Sequence, residues 1–222
     1  MNKRISTGVQ GLDNVVSGGL IPQRTYLVYG ESGAGKTTLG LHFLAAGLAA
    51  GERALMITFG QPEDHIRADA ESIGLDLNDA RILDLTPPPE AFAEDQIYDI
   101  FSPAEVERGP MTSQISEAIR EGKPARIFAD GFGQFRNLVA DAFHHRRLVQ
   151  SFFQFATRQG ATLMVASDNG ECARDADGVI HLECAHQGRT LRVVKFRGSD
   201  FQPGAHPMRL STAGLQVPLS AA

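Results

Sequence analysis

The amino-acid order predicts an α/β fold: a mostly parallel sheet flanked by helices, extended at its C-terminal end by an antiparallel β-hairpin. Two observations carry this. Continuous apolar strand segments alternate with helical segments along most of the chain, the pattern of a sheet covered on both faces. After Asp168 the alternation stops and only strand-like segments follow. The 222 residues are enough to bury a sizeable core and read as one domain across 1–222.

The elements follow in order. Residues 25–29 are β-rich and bounded by Pro22 and Gly30, a buried strand. Residues 37–50 are rich in Leu and Ala and stop at Gly51, a helix with a glycine end signal. Residues 54–59 form a second apolar strand, and 62–72 a helix that opens on proline and acids. Residues 81–85 read as a short strand. Residues 86–110, with Pro87, Pro88, Pro89, Pro103 and Pro110, read as largely irregular. A helix is expected over 112–121, a strand over 125–130, a long helix over 142–159 closed by Gly160, and a strand over 161–167. Residues 179–183 and 190–197 then form a hairpin across 185–188. One more is expected from 207–211 and 215–217, with 218–222 frayed.

Composition narrows the function classes. The chain carries 21 basic and 26 acidic side chains, a net −5, which argues against a protein that coats nucleic acid. Its two cysteines, Cys172 and Cys184, make no C-x-x-C pair, so neither a disulfide scaffold nor a zinc ribbon is expected. The histidines lack H-x-x-x-H zinc spacing. No signal-peptide pattern opens the sequence, and a cytoplasmic setting is the expectation.

The sharpest motif is Gly30-Glu31-Ser32-Gly33-Ala34-Gly35-Lys36-Thr37, which matches G-x-x-x-x-G-K-[ST] at every fixed position between a strand and a helix. Glycines let such a loop curl its N–H groups inward onto phosphate oxygens, and the helix N-terminus adds its positive dipole end. Residues 31–38 are therefore the candidate nucleotide contacts, Thr38 included. Lys36 is the cation for the β- and γ-phosphates, and the Thr37 hydroxyl is a hard oxygen suited to Mg²⁺. Asp130, at the end of an apolar strand, has the form of a Walker B aspartate and is the second candidate metal ligand. The motif alone does not choose ATP over GTP.

At this level the sequence resembles the KaiC-like domain of the RecA-like P-loop ATPases. The resemblance rests on Arg4-Ile5-Ser6-Thr7-Gly8-Val9-Gln10-Gly11-Leu12-Asp13 with Gly18-Gly19-Leu20, on the phosphate loop, on Thr58-Phe59 with Pro62-Glu63-Asp64, on Lys195-Phe196-Arg197-Gly198, and on Gly214-Leu215-Gln216-Val217. It implies a RecA-like fold that binds ATP and Mg²⁺ between copies of a ring, often a hexamer. Lys195 and Arg197 would then reach the γ-phosphate held by a neighbour. Strand alternation along Leu191, Val193, Lys195 and Arg197 would project these two cations together. The alternative is a solvated edge strand.

One departure from the family pattern is informative. Where the family carries two adjacent glutamates after Thr-Phe, this chain has Gly60 and Gln61. A glutamate can orient water and take its proton; glutamine can only orient it. Loss of a general base costs about 10²–10⁴-fold. The expectation is an ATP-Mg-binding, oligomeric regulatory or signalling module with slow or absent hydrolysis. The alternatives are an active ATPase (ATP and water to ADP and phosphate) using Gln61 or Glu63 at the water, or a recombinase-like accessory protein on DNA. Glu63 also reads as a first-turn helix carboxylate. Ser167 and Asp168 are either γ-phosphate sensors, by the resemblance, or caps. The basic cluster His144-His145-Arg146-Arg147 lines a pore, touches DNA, or is a solvated helix face.

Overall fold

A computed structural model describes residues 4–87, 103–138 and 142–219. The expectation of irregular chain over 88–102 and of fraying over 220–222 lies outside the described residues. The elements are α1 (Gln10–Val15), β1 (Thr25–Gly30), α2 (Lys36–Ala49), β2 (Ala54–Thr58), α3 (Glu63–Ser72), β3 (Arg81–Asp84), α4 (Pro103–Gly122), β4 (Arg126–Asp130), α5 (Ala142–Arg158), β5 (Thr162–Ser167), β6 (Gly178–Ala185), β7 (Gly188–Phe196), β8 (His206–Ser211) and β9 (Gly214–Gln216). Two short 3-10 helices, Phe132–Leu138 and Glu171–Arg174, follow β4 and β5. The strands form one sheet in the order β3-β2-β4-β5-β1-β6-β7-β8-β9.

The strands from β3 to β6 pair in parallel, and those from β6 to β9 pair antiparallel. The expected hairpin is present, but its first strand, β6, is itself a parallel partner of β1. The antiparallel extension therefore begins one strand later than expected.

Alternation along each strand sorts side chains into two cores. On one face Tyr26, Val28, Met56, Phe128, Met164 and Ala166 pack against α1, α2 and α3. On the other, Leu27, Leu55, Ile57, Ile127, Leu163 and Val165 pack against α4 and α5. Helix α2 lies close to the sheet because Gly40 leaves room for the Phe128 ring; a Cβ there would collide with it. This seats the start of α2 over the ends of β1 and β4.

One helix differs from the sequence reading. Helix α4 begins at Pro103 and carries Pro110 inside it, although proline inside a helix costs about 3 kcal/mol. Downstream of Pro110, buried Ile115, Ala118 and Ile119 fix the helix on the sheet, a tertiary gain that the local proline signal does not contain. Arg126, at the start of β4, is buried. Its Nε donates to Glu52 Oε2 at 2.6 Å and its Nη1 to the carbonyls of Ser6 and Phe43 at 2.6 and 2.8 Å. It thereby ties the N-terminal segment to α2. Asp13, which carries no separable signal in the sequence, accepts from the Thr7 N–H and hydroxyl, both at 2.7 Å.

Candidate functional site

The C-terminal ends of β1, β4 and β5 open into one cleft of 540 Å³, where a doubly covered sheet places ligands. Its floor is the loop between β1 and α2. Gly33 and Gly35 hold φ of 78° and 104°, which lets the loop wrap back on itself. A Cβ on Gly30 would run into the Leu182 carbonyl of the neighbouring strand, so glycine is needed for β1 to end there. Helix α2 starts with Gly35 as its N-cap, no side-chain cap and no acid in its first turn. Its first N–H groups and dipole end are therefore available to an anion in the cleft.

Of the expected nucleotide contacts, Ser32, Gly33, Gly35, Lys36, Thr37 and Thr38 line the cleft. Ala34 is buried beside it, and Glu31 contributes its carbonyl. The Lys36 ammonium donates to the carbonyls of Gly30 (2.6 Å) and Glu31 (2.9 Å) and to Asp168 Oδ1 (2.8 Å). The Thr37 hydroxyl donates to Asp130 Oδ2 at 2.6 Å. Burial pushes the Asp130 carboxyl above the ordinary carboxylate range, while the bonds from Thr37 and the Gly131 N–H pull it back in part. A hydroxyl and a carboxylate side by side are a hard-oxygen pair that fits Mg²⁺. Among the described residues no group of three or more His, Cys, Asp and Glu could hold a metal ion.

The other expected residues lie elsewhere. The Gln61 amide donates to Asp69 Oδ2 on α3 at 2.6 Å, and its main chain is held by the Thr58 hydroxyl. Glu63 pairs with Arg67 one turn along α3 at 2.7 Å, the first-turn helix role. Neither lines the cleft. The Lys195 ammonium donates to the carbonyls of Ala173 (2.9 Å), Arg174 (3.3 Å) and Ala176 (2.6 Å), around the 3-10 helix after β5. Burial, and next the Arg197 charge, lower its pKa from the ordinary lysine value. Arg197 lies 3.8 Å from Asp177 and keeps half its side chain exposed.

The strand-alternation argument needs one correction. The register of β6 against β7 shifts between Val179 and Ile180, so Val194 is an extra, bulged residue. Lys195 and Arg197 do share a face, but it is opposite to that of buried Leu191 and Val193, and Phe196 takes the place in the core. Ser167 is buried at the end of β5 and, like Asp168, lines the cleft. Arg146 pairs with Asp175 at 3.3 Å, and His145 is buried, so the basic cluster is partly absorbed into the packing of α5.

Sequence reasoning missed five cleft residues, Gly131, Gly133, Gln134, Ala166 and Leu210, of which Gln134 and Leu210 bring the long side chains. Gln134, in the 3-10 helix after β4, lines the cleft, and its amide nitrogen would lie 3.2 Å from a Cβ on Gly60. Leu210 on β8 lines it from the far side and packs over Gly35. No motif marks either; both are brought there by tertiary contacts.

The family described as "ATPase: KaiC" matches residues 5–221. The chain is 27% identical over 241 residues to a circadian clock protein KaiC3 of Synechocystis sp., covering 99% of this chain and 46% of that protein. It is 30% identical over 236 residues to a circadian clock oscillator protein KaiC of Prochlorococcus marinus subsp. pastoris, covering 97% of this chain and 45% of that one. The chain thus spans about half the length of the curated relatives it matches.

Proposed function

The chain belongs to the KaiC ATPase family, and from that premise we propose that it binds ATP with Mg²⁺ in the cleft at the start of α2. The single observation that carries this is the meeting, in one cleft, of an uncapped helix N-terminus, the Lys36 ammonium and the Thr37–Asp130 oxygen pair. Thr37 and Asp130 would hold the metal, which when bound neutralises phosphate charge. Lys36 and the loop N–H groups bind and orient the phosphates.

Hydrolysis is slow or absent in this reading. Position 60 has no side chain, Gln61 is bonded to Asp69 of α3 and Glu63 to Arg67 on the same helix, so the chain offers no carboxylate base of its own at the positions of the missing pair. A second reading, an active ATPase, has one observation in its favour: Gln134 lines the cleft beside Gly60 and could orient water. Steady-state phosphate release separates the two readings.

The regulatory role, by analogy with the clock proteins it resembles, is that nucleotide occupancy marks a state read by a protein partner in the cytoplasm. The assembly is a ring of copies of a single KaiC-like domain, with six as the family's expected number. Arg197, half exposed, is the better candidate to reach a neighbour's phosphate, because Lys195 is held by three carbonyls of its own chain. Nucleic acid is disfavoured as a partner by the net charge of −5.

The test is calorimetric titration with MgATP. Wild type binds in the micromolar range or tighter, and Lys36→Ala weakens binding about 100-fold or more, since it removes a charge-assisted contact to phosphate. Unaltered affinity in Lys36→Ala would refute the assignment.

A further inference from the structure

We propose that Asp168 sets the preference of this site between nucleoside triphosphate and diphosphate, by holding on Lys36 the place that a third phosphate needs. The proposal rests on the nucleotide-binding reading of the cleft. All three protons of the Lys36 ammonium have partners: the Gly30 carbonyl, the Glu31 carbonyl and the Asp168 carboxylate, at 2.6, 2.9 and 2.8 Å. Two of these acceptors are main chain of the loop itself. Only Asp168 is a charged group that arrives from elsewhere, at the end of β5.

The two partners of this ion pair differ in setting. The Lys36 side chain is only 11% exposed, whereas that of Asp168 is 84% exposed. Lys36 is therefore fixed by its surroundings, and Asp168 is the partner able to swing away. Asp168 and Ser167 line the same cleft as Lys36. In the role given to Lys36, a triphosphate brings it two phosphates and a diphosphate one, so a diphosphate can replace the Glu31 carbonyl and leave the Asp168 bond in place, whereas a triphosphate cannot. The triphosphate must displace the carboxylate from Lys36 and then sit beside a like charge, and both effects act mainly on the terminal phosphate. The consequence is a site biased toward the diphosphate, and one whose triphosphate state requires Asp168 to move.

The experiment titrates the full chain with MgATP and with MgADP, comparing wild type, Asp168→Asn and Asp168→Glu in the calorimeter. Because Asp168 is exposed, neither substitution disturbs the core. In Asp168→Asn, ATP binding tightens about tenfold while ADP binding changes by less than about twofold, so the ATP/ADP affinity ratio rises about fivefold or more. Asp168→Glu keeps the charge and stays near the wild-type ratio. Equal shifts for both nucleotides, or weaker ATP binding in Asp168→Asn, overturn the proposal. Wild type that binds neither nucleotide overturns the nucleotide-binding reading itself, a result distinct from an unchanged ratio.

Discussion

Gly60 and Gln61 are adjacent, yet their surroundings differ. A side chain on Gly60 would project toward Gln134 and the cleft, whereas the Gln61 amide is bonded to Asp69 on α3. From sequence, Gln61→Glu is the natural way to restore a missing base. In the structure that substitution sets two carboxylates against each other, and the new one turns away from Asp69 into solvent. Gly60→Glu is the better restoration, because the flexible Gln134 side chain can give way to it. Phosphate release by Gly60→Glu is expected to exceed wild type by about tenfold or more, with Gln61→Glu below it. The reverse order would place the water on the Gln61 side. Residue types and spacing made the phosphate loop and Asp130 legible in advance. The first-turn place of Glu63 on α3 is legible too; the local bonds of Gln61 and Lys195 are not, because each partner comes from a tertiary contact that the motif does not encode.

Among the elements, α2 carries both Lys36 and Thr37 of the cleft and a pH-sensitive link. His42, buried on α2, accepts the Leu215 N–H of β9 at Nε2, 2.9 Å away. Burial lowers its pKa from the ordinary value of 6.5. The folded state therefore takes up a proton less readily than the unfolded chain. The stability contributed by neutral His42 is complete above about pH 6.5 and is lost as pH falls below it. His145 is shifted the same way, also chiefly by burial, and adds to the slope. Thermal unfolding from pH 8 to 5 should show Tm falling on acidification, with a shallower fall in His42→Gln, whose amide oxygen can accept the same N–H. Parallel curves for the two proteins would remove His42 from the account. Long periodic elements such as α5 and the apolar strands were readable in the sequence to within a residue or two at each end. The six-residue α1 and the two 3-10 helices were not, since a turn or two of helix has too little periodicity to register. In helix α4 the local proline signal at Pro110 outweighs, in the sequence, the apolar face that overrides it in the fold.

For the whole molecule, the parallel core and its antiparallel extension were legible because doubly buried strands read as unbroken apolar runs. Strand order was not, since nothing local says that β4 and β5 insert between β1 and β2. If nucleotide is shared between copies, assembly and occupancy are linked by mass action. Light scattering with and without MgATP should then show a nucleotide-dependent rise in mass, absent in Lys36→Ala. A mass indifferent to nucleotide would separate binding from assembly. The strand order carries one more consequence. Among the described residues the outermost strands, β3 and β9, have only four and three residues, and β1 with the glycine-rich loop after it is interior to the sheet. Such short rims are poor templates for recruiting a strand from another molecule. In the proposed assembly, copies meeting around the nucleotide would do so through loops and side chains, which can let go and re-engage without unzipping any backbone ladder.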